Sequence, residues 1–199
     1  MKYLAISLFI ILLSGCVTTK VPAKSEYRIS TDVVAMQTTS NVCKSKSLKI
    51  AQAFSSGILM SNHMMYAIGN SKQYAYAESL WAENPNTVVT SKVLKLIRET
   101  KVFKSVQVSK SRSRNDFILE INIEDFMQYF DEASLHSHAS ISITLTLVDI
   151  KSNRVIATKT LNSKVDVKEL NAEGGVKGLQ MALSNILEDT NTWISGVCK

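Results

Sequence analysis

Phe117-Ile118-Leu119-Glu120-Ile121-Asn122-Ile123-Glu124-Asp125-Phe126-Met127-Gln128-Tyr129-Phe130 is the stretch that decides the fold. Phe117, Leu119, Ile121 and Ile123 alternate with Ile118, Glu120, Asn122 and Glu124, the period of two that marks a strand with one buried face. The phase changes near Asp125-Phe126, as a β-bulge would cause, and Phe126, Gln128 and Phe130 resume one face. A polar connection follows at 131–137. Ile141, Ile143, Leu145 and Leu147 then alternate with Ser140, Ser142, Thr144 and Thr146, and the Ser/Thr face is expected to be exposed or lightly covered. Lys151-Ser152-Asn153 turns the chain into a third strand at Val155–Leu161. Three long strands with short links predict an antiparallel meander.

Working outward, the last element reads as a helix over 172–194, with Val176, Leu179, Leu183, Ile186, Leu187, Thr190, Trp193 and Ile194 on its apolar side. Gly174-Gly175 is expected to weaken its first turn, placing the firm start nearer Val176. Upstream, Val89, Val93, Leu94, Leu96 and Ile97 give a second buried stripe, in a helix opened by Asn86-Thr87 and running through Thr100. Phe103, Val106 and Val108 continue into a short strand. His63–Ile68, the turn Gly69-Asn70-Ser71 and Gln73–Ala77 predict a hairpin with Tyr74 and Tyr76 on one face. Leu48 and Ile50 begin another strand, 53–62 reads as either strand or apolar loop, and strand signals lie at about 27–37. The fold class expected is α/β (α+β): a mixed, largely antiparallel sheet with two main helices packed on one side.

The N-terminus carries a different signal. Lys2 is the only charge before Cys16, and residues 3–13 are apolar except for Ser7. That run is too short for a membrane span, which needs about 20 residues, but has the length of a signal-peptide core. It ends at Leu13-Ser14-Gly15-Cys16, where small residues leave a protease room and the thiol can take a diacylglycerol thioether. The expected organisation is a lipoprotein signal peptide at 1–15, a lipidated polar tether at 16–26 and a single periplasmic domain at 27–199. A processed lipoprotein carries three acyl chains, more than stable anchoring needs. Similarity to known lipoproteins, which often carry Asp after the cysteine when retained in the inner membrane, makes Val17 an argument for the outer membrane.

The chain has 23 Lys and Arg against 17 Asp and Glu, a formal charge of +6. This mild excess suits anionic headgroups or simple solubility. Basic residues are not interleaved with aromatics, so nucleic acid is not indicated. Beyond Cys16, Cys43 and Cys198 either form one disulfide, which an oxidising compartment favours, or stand as separate thiols. Neither has the neighbours of a metal site. His136 and His138, near Asp131 and Glu132, lack a third soft ligand and read as exposed hairpin histidines. Glu120, Glu124 and Asp125 read as the solvated face of a strand. The chain has no phosphate-cradling glycine loop and no Gly-x-Ser-x-Gly elbow. No cofactor, metal or catalytic residue is expected, and the protein is not read as an enzyme. Trp81 reads as a core plug at a strand–helix junction or, with Tyr74 and Tyr76, as an aromatic patch for a partner or an acyl chain.

The segment Tyr74-Ala75-Tyr76-Ala77-Glu78-Ser79-Leu80-Trp81-Ala82-Glu83-Asn84-Pro85 resembles the auxiliary lipoproteins of ABC-type transport systems, the family that includes the paraquat-inducible lipoprotein partner of MCE-domain proteins. That family shows tyrosine-rich strand residues, then Trp, an acidic residue and Pro before a helix. Val102-Phe103-Lys104-Ser105-Val106 and Asn115-Asp116-Phe117-Ile118-Leu119-Glu120 match further, as do Phe126, Gln128 and the closing helix with Trp193; the resemblance covers roughly 27–194. Leu80 departs from the Arg common before the Trp, and the early Tyr-x-Leu-x-x-Pro segment survives only loosely at Tyr27-Arg28-Ile29-Ser30. The resemblance implies a noncatalytic, periplasm-facing domain. Its implied partners are a permease, an ATPase and an MCE-domain protein, in systems that move lipids or other hydrophobic molecules between membranes. Two other functions compete: a structural or assembly lipoprotein of an outer-membrane or surface machine, and a direct carrier of a lipid ligand, which needs an apolar groove.

Overall fold

The computed structural model describes residues 23–31 and 42–198. The expected signal peptide at 1–15, Cys16 and the strand signal at Val33–Met36 lie outside the described residues.

The sheet is organised on one strand, β7 (Phe117–Phe130). One edge of β7 pairs antiparallel along its length with β8 (Ser137–Asp149), and β8 pairs antiparallel with β9 (Arg154–Val167). The other edge of β7 is shared, level by level, by three short parallel strands: β2 (Ser47–Ile50), β3 (Phe54–Ser55) and β4 (His63–Ile68). Beyond them, β6 (Ser105–Val108) lies parallel on β2, β5 (Lys72–Trp81) antiparallel on β4, and β1 (Ser25–Tyr27) parallel on β5. The meander is therefore flanked by parallel pairings, and the sheet is mixed but largely antiparallel. β1 takes in Ser25 and Glu26, placed by the sequence in the tether, because their backbones pair with Ser79 and Leu80. The ambiguous 53–62 stretch divides into β3 and a 3-10 turn at Gly57–Met60 that buries Leu59.

The ladder between β7 and β8 slips between Ile123 and Asp125, where the phase change predicts a bulge. Below the slip Leu119, Ile121 and Ile123 are buried; above it Phe126 and Gln128 are. Both sets face two helices, α1 (Pro85–Thr100) and α2 (Ala172–Val197), packed on one side of the sheet. Proline at the first turn of α1 costs no hydrogen bond there, and Val89, Val93, Leu96 and Ile97 form its buried side. Leu179, Leu183, Ile186 and Leu187 of α2 close the core over Ile141, Ile143 and Leu145 of β8.

α2 starts at Ala172, one turn earlier than its glycines suggest. The Asn171 side chain accepts a hydrogen bond from the Gly174 N–H (2.9 Å), and Glu173 places a carboxylate in the first turn; both favour a helix N-terminus. The glycines are needed for close packing. A Cβ on Gly175 would overlap Gln128 Oε1, and one on Gly174 the Glu169 carbonyl. Cys43 and Cys198, both buried, are joined in a disulfide that fastens the C-terminal end of α2 to the segment entering β2, closing a loop of 155 residues.

Gly175→Ala should cost about 2–4 kcal/mol in urea unfolding, since it overpacks the core and breaks a buried polar contact. Gly196→Ala, with open space at the Cβ position, should instead stabilise by about 0.5–1 kcal/mol; equal effects at the two sites would contradict this packing account. Replacing Cys43 and Cys198 together by serine should lower stability by about 2–5 kcal/mol, the range for a long closed loop, and dithiothreitol should then shift the midpoint of the parent protein but not of the variant.

Candidate functional site

The β4–β5 hairpin turns at Gly69, whose φ of +58° suits glycine. The register sets Tyr66 opposite Tyr74, and the rings of Tyr66, Tyr74 and Tyr76 gather on the helix-bearing side. Their centroids lie 5.4 Å (Tyr66–Tyr74) and 4.5 Å (Tyr66–Tyr76) apart, with Phe130 edge-on to Tyr66 at 5.7 Å. Tyr74 is 43% exposed, so the group opens to solvent. Its inner end is tied down: Tyr76 Oη donates to Gln128 Oε1 at 2.8 Å, and Gln128 Nε2 donates to Ser137 Oγ at 2.8 Å. Gln128 is fully buried, so this chain satisfies a side chain that would otherwise be costly to bury. Burial raises the Tyr76 phenol well above its ordinary value, with the neighbouring Tyr66 contributing; it acts only as a neutral hydrogen-bond donor.

Trp81 is not part of this surface. It is 2% exposed and packs edge-on against Phe126 at 6.1 Å. The β4–β5 register shifts between His63 and Met65, where five residues of β5 span two of β4. That irregularity brings Trp81 into the core instead of the strand's outer end. The structure thus brings Tyr74 and Tyr76 together, adds Tyr66 and Phe130, and separates Trp81 from them. Tyr66 and Phe130 were readable as strand residues; their membership follows only from the register, although a tyrosine facing another across a glycine turn is a usable signal.

Among the described residues, the opposite side of the sheet carries no helix. Ser142 Oγ and Thr144 Oγ1 donate to Glu124 at 2.9 and 2.6 Å, and Thr144 and Thr160 hydroxyls lie 2.8 Å apart. This is the exposed Ser/Thr face expected from the sequence. Farther along, Tyr129 stacks on His138 (5.2 Å, 8° between planes) and donates to Asp125 Oδ1 at 2.8 Å. Burial raises the Asp125 carboxyl above its usual range, partly offset by hydrogen bonds from Ser140 and Tyr129. The Tyr129 phenol is raised by burial and by that same carboxylate. His138 is lowered by burial and by Lys164, against the opposing pull of Asp166 and Asp125. His136 and His138 border an open hollow of about 380 Å³ with Tyr129, Asp131, Lys164 and Asp166. Among the described residues no three His, Cys, Asp or Glu side chains converge as metal ligands would. The exposed groups of both faces offer ring surface and hydrogen bonds.

The motif Asn115-Asp116 has a structural role. Asp116 Oδ2 accepts from the Ser47 N–H (2.7 Å) and Oγ–H (2.8 Å), and the Asp116 N–H is 3.0 Å from Ser47 Oγ. That pair pins the starts of β2 and β7 together.

Comparison with known proteins agrees with this architecture. No curated protein matches the sequence. Among solved structures, protein XCC0632 of Xanthomonas campestris superposes with a TM-score of 0.76 at 16% identity, covering 86% of this chain and 96% of that one. An uncharacterised protein superposes with a TM-score of 0.63 at 12% identity, covering 87% and 99%. At these identities the likeness is one of fold. The family model described as "ABC-type transport auxiliary lipoprotein component" matches residues 27–190, from β1 through most of α2. The chain belongs to this family of noncatalytic auxiliary lipoproteins of ABC-type transport.

Proposed function

We propose that the protein is the docking lipoprotein of an ABC/MCE-type system that carries lipids or other hydrophobic molecules across the cell envelope. The observation that carries this reading is the family match over 27–190, which takes in nearly all of the folded domain. Cys16 bears the lipid, and Val17 directs the protein to the outer membrane, periplasm-facing. The tether then holds the domain at the bilayer and raises its effective concentration for a partner, to the millimolar range for short flexible linkers. The partners are an MCE-domain protein and, through it, the permease and ATPase. The interior between sheet and helices is filled by side chains such as Phe126, Ile141 and Leu145, which favours docking over carriage of an enclosed lipid.

Cys16→Ser should move the protein from the membrane fraction to a soluble or unprocessed pool and abolish transport while leaving thermal unfolding unchanged. A soluble form that restored transport at normal abundance would defeat the anchoring role. Crosslinking in intact cells should recover an MCE-domain protein; recovery of cell-wall or secretion components alone would replace this reading with an assembly role.

A further inference from the structure

The charge of the chain is concentrated at one end of the sheet. Four segments meet where β7 begins: 42–46, 101–104, 109–116 and the β8–β9 turn at 149–154. They hold nine of the 23 Lys and Arg but only two of the 17 Asp and Glu. The rest of the chain is close to neutral, so the mild overall excess belongs to this end. The crossover from β6 to β7 contributes most, with exposed Lys110, Arg112 and Arg114. Lys151 and Arg154 flank the hairpin turn. Both acids here are already engaged. Hydrogen bonds from Ser47 hold the Asp116 carboxylate below its usual range, and hydrogen bonds from Ser152 do the same for Asp149.

Exposed apolar side chains sit among these cations. Val155 is 60% exposed, Ile156 50% and Ile150 44%. Apolar residues beside one sign of charge suit a docking surface, with the apolar groups supplying contact and the cations steering. The loops are also held in place. Lys49 Nζ donates to the Ser111 and Ser113 carbonyls at 3.1 and 3.0 Å. The Lys104 N–H donates to the Lys46 carbonyl at 2.8 Å, and the Ile150 N–H to the Asp116 carbonyl at 2.9 Å.

The entry of the chain indicates which way this end points. β1 is parallel to β5, β5 antiparallel to β4, and β4 parallel to β7. The chain therefore enters β1 heading toward the basic end, and the segment before Ser25 leaves from the opposite end. The registers place Ser25 roughly nine residues, or about 30 Å, up the sheet from the basic end. Residues 16–24 span at most about 30 Å when fully extended. They would have to double back along the whole height, with no slack, to bring the basic end to a bilayer holding Cys16.

We propose that this basic end, with the exposed apolar residues of its β8–β9 turn, is a docking surface for an acidic face of a protein partner that approaches from the side away from the anchoring membrane. The proposal deepens the docking reading above and uses its lipidation of Cys16. It is tested in intact cells with a photoreactive residue at Lys151 in the full chain, and a control at exposed Leu135 in the connection at the other end of the sheet. Lys151 should give a protein adduct mapping to an acidic segment. The adduct should fall about tenfold or more in Lys110→Glu/Arg112→Glu/Arg114→Glu and return when the mapped acids are changed to lysine. Unchanged thermal unfolding of the triple variant establishes that it folds, and Arg154→Glu gives a second, smaller reversal. Adducts to phospholipid alone, no adduct at Lys151, an adduct indifferent to charge reversal, or a charge-sensitive adduct only at Leu135 would each overturn the proposal. Whether the captured protein contains an MCE domain bears on the transport reading separately.

Discussion

One extra residue in β7, between Ile123 and Asp125, decides which side of the sheet each later side chain faces. Below it the odd-numbered residues Leu119, Ile121 and Ile123 meet the helices; above it the even-numbered Phe126 and Gln128 do. Without the slip, Phe126 would lie on the helix-free side and Asp125 in the core, since a one-residue shift inverts every side chain beyond it. Two further features rest on that inversion. Trp81 packs against Phe126, and Gln128 receives the Tyr76 hydroxyl and lies under Gly175. The bulge thus links the meander, the β4–β5 hairpin and the start of α2.

Where period and burial coincide, the sequence was a sound guide. The alternation in 117–130, the bulge, the hairpin at 63–77, both helical stripes and the Ser/Thr face of β8 all correspond to described elements. The failures share a physical cause. α2 starts at Ala172 as its 172–194 span predicts, but its first turn is firm where helix propensity penalises glycine, because Gly174 and Gly175 are required by backbone and side-chain atoms supplied from Glu169 and Gln128. β1 begins at Ser25, two residues before the strand signal at Tyr27, because a three-residue edge strand is defined by its partner, not by its own pattern. Trp81 could not be assigned between core and surface because the irregular pairing after Ala75 breaks the alternation that would have placed it. Cys16 lies outside the described residues, and its role rests on the signal-like run before it.

The two ends of the sheet differ in kind. The end where β7 finishes carries the aromatic group and a hollow of mixed charge, with Asp131 and Asp166 near Lys164. The end where β7 starts is almost wholly basic. Overall composition conceals this, because a formal charge of +6 spread over 199 residues reads as a solubility charge. Only the topology shows that four segments far apart in sequence converge, and convergence turns a weak average into a local field acting within a Debye length of about 8 Å.

That end also carries restraints between segments far apart in sequence. The disulfide holds Cys43 against the end of α2, so Lys44 and Lys46 leave from a fixed point. The Ser47–Asp116 exchange fixes the end of the 109–116 crossover, and Lys49 fixes its middle by capping two of its carbonyls. A surface made only of loops would ordinarily lose ordering entropy when a partner binds, at roughly 0.5–1.5 kcal/mol for each side chain immobilised. Backbone restraints of this kind remove the loop part of that cost in advance. The lysine and arginine stems remain free, so the charges can adapt while their origins cannot. On the proposed lipidation of Cys16, a lipid at one end and a braced cationic surface at the other form a coherent arrangement: the first would set the distance from the bilayer and the second would select what is held there.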